Sequence, residues 1–204
     1  MTFDFFIKAA IAGLLLSVPI GPVNLLCIRR TLVKGRIIGL VTGLGASSAD
    51  SFFAFISAFG LSFIVNFFER EEAVLTIGGG ILLCLLGIRT FFAVPKDQSS
   101  KYVSRGLFSA YVSSLLLTLA NPVTIIAFTA IFASFGVDNE SRTFSFSFMV
   151  ALGVFTGATL WWVALSSVVS LFRNKFNNNG IIWMNRISGV LITIFGIITL
   201  LRLI

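Results

Sequence analysis

The chain has 204 residues, 57% of them hydrophobic and 11% charged, with a mean hydropathy of +1.02 and a formal net charge of +7. That composition excludes a soluble globular domain of this size and points to an all-α integral membrane protein. The lack of histidine removes the commonest metal ligand and proton shuttle, and Cys27 and Cys84 share no Cys-x-x-Cys spacing and read as small packing residues.

A bilayer core takes about 20 apolar residues as helix, and six stretches qualify: Phe5–Ile28, Ile37–Phe68, Leu75–Val94, Leu107–Phe135, Phe144–Phe172 and Ile181–Leu203. Span 1 is too long for a cleavable signal, holds Pro19 and Pro22 and is followed by Arg29 and Arg30, so it is expected to stay in the mature chain. Its Gly21-Pro22-Val23-Asn24 run breaks the helix, because proline leaves the carbonyl four residues earlier without a partner and hydrocarbon supplies no water. Pro22 is expected to free the carbonyl of Val18, and Pro19 that of Leu15.

Span 2 carries Asp50, about a dozen residues from the end that follows span 1, hence roughly 18 Å deep and near the midplane. A lone carboxylate there costs about 2.5–3.5 kcal/mol, so it is expected to face a cavity or a partner, as a proton carrier or a counter-charge for a substrate amine. The bland alternative is a neutral carboxyl bonded to a neighbouring helix. Ser47, Asp50, Ser51, Ala54, Ser57 and Ala58 share one small polar face, while Phe52, Phe53, Phe55, Phe59 and Phe63 turn to lipid or to neighbouring helices. Gly35, Gly39, Gly43 and Ser47 form a ladder at steps of four that reads as helix packing, as do Gly153 and Gly157 in span 5. Span 4 repeats the break with Asn121-Pro122-Val123-Thr124, where Pro122 is expected to free the carbonyl of Thr118.

Charges between the spans set the orientation. Arg29, Arg30, Lys34 and Arg36 follow span 1; Arg89, Lys96, Lys101 and Arg105 fall between spans 3 and 4; Arg173, Lys175 and Arg186 between 5 and 6. The alternate connections hold Glu69, Glu71, Glu72, Asp138 and Glu140. Both termini are therefore expected outside the cytoplasm, and the basic balance reflects insertion and not a nucleic-acid partner.

The halves match in order: Gly21-Pro22 with Asn121-Pro122, Leu44-Gly45 with Leu152-Gly153, and Gly80 with Gly87 against Gly189 with Gly196. Three spans per half force the copies to face opposite ways, a 3+3 inverted repeat (1–100 and 101–204) within one transporter domain, with helices 1 and 4 broken. Asn24, Asn121, Thr118 and Thr124 offer neutral donors and acceptors beside the breaks, a set that together with Asp50 suits a zwitterion.

The run Pro19-Ile20-Gly21-Pro22-Val23-Asn24, then Arg29, Gly35, Gly39, Gly45 and Asp50, resembles the LysE/RhtB amino acid exporter superfamily. So do Asn121-Pro122, Trp161-Trp162, and Asn185-Arg186 with Gly189 and Gly196. Many members have a contiguous Pro-Gly-Pro where Ile20 here separates Pro19 from Gly21. The resemblance covers the whole chain and implies proton-driven efflux of small amino acids or related metabolites across the bacterial inner membrane. The leading expectation is thus an exporter, not an enzyme, using no cofactor or metal. Asp50 carries the proton, and Gly21, Pro22, Asn24, Asn121, Pro122, Ser47 and Thr118 shape the site. A passive small-solute channel and an exporter of a non-amino-acid metabolite are the alternatives. Small six-span transporters often pair, and the Phe-rich outer faces permit a homodimer.

Overall fold

A computed structural model of the chain describes residues 2–19, 21–60, 70–92, 100–121, 124, 127–128, 130–131, 143–172 and 178–201. Among these residues all regular structure is helical, in seven segments: α1 Thr2–Ser17, α2 Pro22–Lys34, α3 Arg36–Phe59, α4 Glu72–Phe91, α5 Ser100–Leu119, α6 Phe144–Leu171 and α7 Asn178–Leu201. Four of them, α3, α4, α6 and α7, contain stretches long and apolar enough to cross a membrane. The helices α1 and α2 pass that test only as a pair, bent by 77° at a break, and α5 contributes the shorter apolar stretch Gly106–Leu119.

Several expected boundaries move, each for a local reason. Span 1 is two helices and not one kinked rod, and α2 runs past Ile28 to Lys34. Arg29, Arg30 and Lys34 are therefore helical residues and not a loop, because the whole connection to α3 is Gly35 at φ 99°, a backbone value that only glycine adopts without strain. The helix of span 2 stops at Phe59, where Gly60 caps it in the left-handed region, and residues 61–68 of the expected span lie outside the described ones. Arg89 falls in the last turn of α4 and Arg186 inside α7, where its guanidinium lies 5.9 Å from the Trp183 ring, so neither is a loop residue. The remaining charges of the connections, other than Arg36, Glu71 and Glu72 at helix starts, lie outside the described residues or at positions whose side chains are not described.

Small residues set how the helices meet. Glycines 153 and 157 of α6 press on the backbone of α1: a Cβ on Gly153 would stand 2.6 Å from the Phe6 carbonyl oxygen, and one on Gly157 would overlap that of Ala10. Gly45 of α3 likewise abuts the Tyr111 carbonyl of α5, and Gly43 abuts the Trp162 ring of α6. The pair α4 and α7 closes glycine on glycine: a Cβ on Gly87 would meet Gly189 O at 2.9 Å, and one on Gly196 would meet Gly80 O at 2.9 Å. Without a hydrophobic drive between helices in lipid, this close backbone approach supplies the van der Waals contact that holds them.

The contact registers give each pair a direction. Phe5 meets Phe146 edge-on while Ala10 meets Gly157, so α1 and α6 run parallel. Gly106 faces Ile38 and Tyr111 bonds Ser48, so α3 and α5 run parallel. Gly43 against Trp162 and Phe55 against Phe144 make α3 and α6 antiparallel, as are α4 and α7. At the centre lies α2, touching α3, α5, α6 and α7. Its Leu26 joins Leu83, Leu117 and Ile192 in one apolar cluster, and its Cys27 joins Ala46, Ala158 and Trp162 in another.

Candidate functional site: a break in the first span and a buried carboxyl

The break is built from residues 17 to 24. The Ser17 hydroxyl bonds back to Gly13 O at 2.8 Å and ends α1; Gly21 then takes an extended conformation and Pro22 opens α2 as its first residue. At that position a helix has no use for the N–H that proline lacks. Pro22 therefore starts a helix instead of freeing the Val18 carbonyl inside one. Among the carbonyls that the break leaves without helical partners, those of Ser17 and Pro19 are served by one side chain: Asn24 Nδ2 donates to Ser17 O at 3.2 Å and to Pro19 O at 2.8 Å. Its Oδ1 accepts from Trp161 Nε1 of α6 at 3.1 Å. Asn24 is buried, and both its N–H donors and one of its two acceptor positions go to fixing the break and tying it to α6.

Asp50 lies on α3 one turn beyond Ala46 and one turn before Phe53 and Ala54, between two apolar clusters. Its side chain is buried, at 9% exposure, and makes no hydrogen bond or ion pair with any described residue. The helices α2 and α3 run antiparallel, with Thr31 packed on Gly39 and Arg30 bonded to Thr42. That register carries Asp50 to the level of the break between Ser17 and Pro22. Ser47, one turn earlier, is fully buried and its hydroxyl has no partner among the described residues, although its carbonyl accepts from Ser51 Oγ at 2.8 Å.

The second predicted break is partly described. The helix α5 ends at Leu119, and Asn121 N–H donates to Thr118 O at 3.1 Å. The Thr118 carbonyl is thus occupied and not freed as expected, whereas its buried hydroxyl has no described partner. Asn121 is exposed, its own carbonyl accepts from Thr124 N–H at 3.2 Å, and Pro122 lies outside the described residues. The structure thus brings Asn24, Gly21, Pro22 and the level of Asp50 together. It leaves Thr118 and Asn121 on a separate helix end.

Two arginines escaped the sequence reading as interior groups. Arg30 is buried, its Nη1 donating to Thr42 Oγ1 and to Ala110 O, each at 3.1 Å, and its Nη2 to Ser113 Oγ at 2.8 Å. Arg29 Nε donates to Asn185 Oδ1 of α7 at 2.7 Å. Nothing in the sequence spacing announces the contact between Arg29 and Asn185.

Comparison with known proteins now adds to this geometry. The chain matches the LysE type translocator family over residues 14–202. The chain belongs to that family. Among relatives, "Putative amino acid efflux protein YcgF" of Bacillus subtilis is 28% identical over 95% of this chain and 93% of its own length. The "Uncharacterized membrane protein YahN" of Escherichia coli is 26% identical over 83% of this chain and 77% of its own. The "Threonine efflux protein" of Escherichia coli K12 is 23% identical over 94% and 95%. No solved structure gives a significant match. As a LysE type translocator with several apolar helices, the chain is a multi-pass membrane protein of a transporter family.

Proposed function

We propose that this translocator exports amino acids or related small zwitterions from the cytoplasm across the bacterial inner membrane by exchange for a proton. The observation that carries the reading is Asp50: a buried carboxyl with no described partner, level with the break. A carboxyl in low dielectric holds its charge only against a cation, so it is suited to trade a proton for a substrate ammonium. The relatives' names, amino acid efflux and threonine efflux, supply the substrate class. Gly21, Pro22 and Asn24 shape the site beside Asp50 and Ser47, and Thr118, Asn121 and Pro122 form its counterpart in the second half.

The packing supports a 3+3 inverted repeat. If α4 corresponds to α7, with Gly80 for Gly189 and Gly87 for Gly196, then exchanging the halves turns the Gly80–Gly196 contact into the Gly87–Gly189 contact. The same exchange places Gly45 of α3 against an α5 carbonyl, that of Tyr111, where Gly153 of α6 stands against an α1 carbonyl, that of Phe6, so the helix pairs correspond although their registers differ by five residues. The parallel and antiparallel pairs agree with six crossings, and the placement of both termini outside rests on the charge pattern of the connections. Such pseudo-symmetry lets the two halves interconvert and open the site to either side in turn.

The test is accumulation of labelled amino acids in liposomes carrying the purified protein under an imposed pH gradient. Concentration of an amino acid against its gradient that Asp50→Asn abolishes is expected. Flux that only equilibrates, with wild type and Asp50→Asn alike, contradicts the exchange mechanism.

A further inference from the structure

The positive-inside rule asks only for cations near the cytoplasmic surface, and an exposed lysine satisfies it. Arg30 goes further, because it is buried at 9% exposure among α2, α3 and α5, where a guanidinium is costly. Its known partners are neutral: two hydroxyls and a carbonyl. Arg29, beside it in the chain, has the neutral Asn185 as its one hydrogen-bond partner among the described residues. The exposed Arg89 adds its charge to the same region and acts on Arg29, Arg30 and the exposed Lys34, and no ion pair joins any of these to a carboxylate among the described residues. The described residues take four of the ten N–H donors of Arg29 and Arg30, and both guanidinium groups keep donors without a described partner, Arg29 toward α7 and Arg30 toward α3 and α5.

We propose that Arg29 and Arg30 form a binding site for the carboxylate of the exported solute, on the cytoplasmic side of Asp50. Guanidinium forks match a carboxylate in geometry, and charge-assisted bonds to it are about twice as strong as neutral ones. The site is distinct from that of Asp50. Thr42, which Arg30 holds, lies eight residues before Asp50 and so about 12 Å along α3. An α-amino acid carries its two charges on adjacent carbons and cannot reach both, so the solute engages the arginines before it moves to the midplane. A lipid phosphate shares this oxyanion chemistry. The burial of Arg30 among three helices favours a solute that enters the bundle.

This inference rests on amino acids being the cargo, and the experiment separates the two. Equilibrium binding of labelled L-threonine to the purified full chain is competed by unlabelled L-threonine and by L-threoninamide, which keeps the ammonium and lacks the carboxylate. In wild type the acid should compete at least roughly tenfold better than the amide. In Arg30→Gln and Arg29→Gln that preference should fall toward one, while Arg30→Lys should keep part of it. Should Arg30→Gln not fold, Arg29→Gln, which loses one bond to Asn185, decides. A preference unchanged in both variants overturns the proposal. Wild type that binds neither L-threonine nor other amino acids overturns the proposed function, and this inference falls with it. Repeating the measurement in phosphatidylcholine and in phosphatidylglycerol vesicles covers the lipid source: arginine-dependent retention of phosphatidylglycerol with unaltered threonine preference makes the headgroup the occupant and refutes the solute site.

Discussion

Replacing Asn24 with alanine should loosen the broken span by an amount the hydrogen bonds set. The side chain makes three, to Ser17 O, Pro19 O and Trp161 Nε1, all in a buried setting. Side-chain hydrogen bonds inside membrane proteins average about 0.6 kcal/mol, which gives about 2 kcal/mol for the three. The substitution also strands two carbonyls and an indole N–H, and each such orphan costs about 1–3 kcal/mol where no water reaches it. Water entering at the break can relieve part of that, so about 2–4 kcal/mol is the expected loss. Reversible unfolding in mixed micelles of increasing denaturing detergent measures it. Trp161→Phe, which removes one of the three bonds, should cost about 1 kcal/mol, and the double variant should fall short of the sum by about the energy of the shared bond. An Asn24→Ala protein within about 0.5 kcal/mol of wild type, together with strict additivity toward Trp161→Phe, refutes the idea that Asn24 holds the break.

Asp50→Asn keeps size and polarity and removes the titratable group, so transport should lose its dependence on external pH while the protein folds as before; unchanged pH dependence of labelled amino acid flux refutes the proton role. Gly157→Ala places a methyl group onto the Ala10 backbone, forcing α1 from α6 at a cost of about 1–3 kcal/mol, whereas Gly78→Ala, with nothing near its Cβ, should be silent; comparing their folded yields and unfolding midpoints checks both. Thr118→Val deletes a buried hydroxyl that no described group uses. It should leave stability within about 0.5 kcal/mol or raise it and yet slow transport, and a variant that transports normally removes Thr118 from the proposed site.

Helix content and the break in span 1 were legible because they rest on local chemistry: apolar runs of membrane length, and a Gly-Pro pair that cannot sit in an uninterrupted helix. Asp50 stood out for a similar reason, being the only acidic residue so deep in a span. What escaped was tertiary. Pro22 reads the same in a sequence whether it kinks one helix or starts another, and the difference lies in Gly21 turning extended and Asn24 reaching back to two carbonyls. The arginines at 29 and 30 look like loop charges until Gly35, at φ 99°, compresses the connection to one residue and keeps them helical and inside. Gly39, Gly43, Gly153 and Gly157 read correctly as packing positions, yet their partners, Thr31, Trp162, Phe6 and Ala10, are set by contacts between distant segments and no periodicity announces them.

The central claim is a carrier that binds an amino acid and exposes it to one side at a time, and solute counterflow tests it most directly. Liposomes containing the purified protein are loaded with unlabelled L-threonine and diluted into a trace of the labelled form, without any imposed ion gradient. The account predicts a transient overshoot of label above equilibrium, because each outward passage of unlabelled solute returns an inward-carrying site. A monotonic rise to equilibrium with no overshoot, for threonine and for the other amino acids, contradicts alternating access and leaves a passive channel as the reading to pursue.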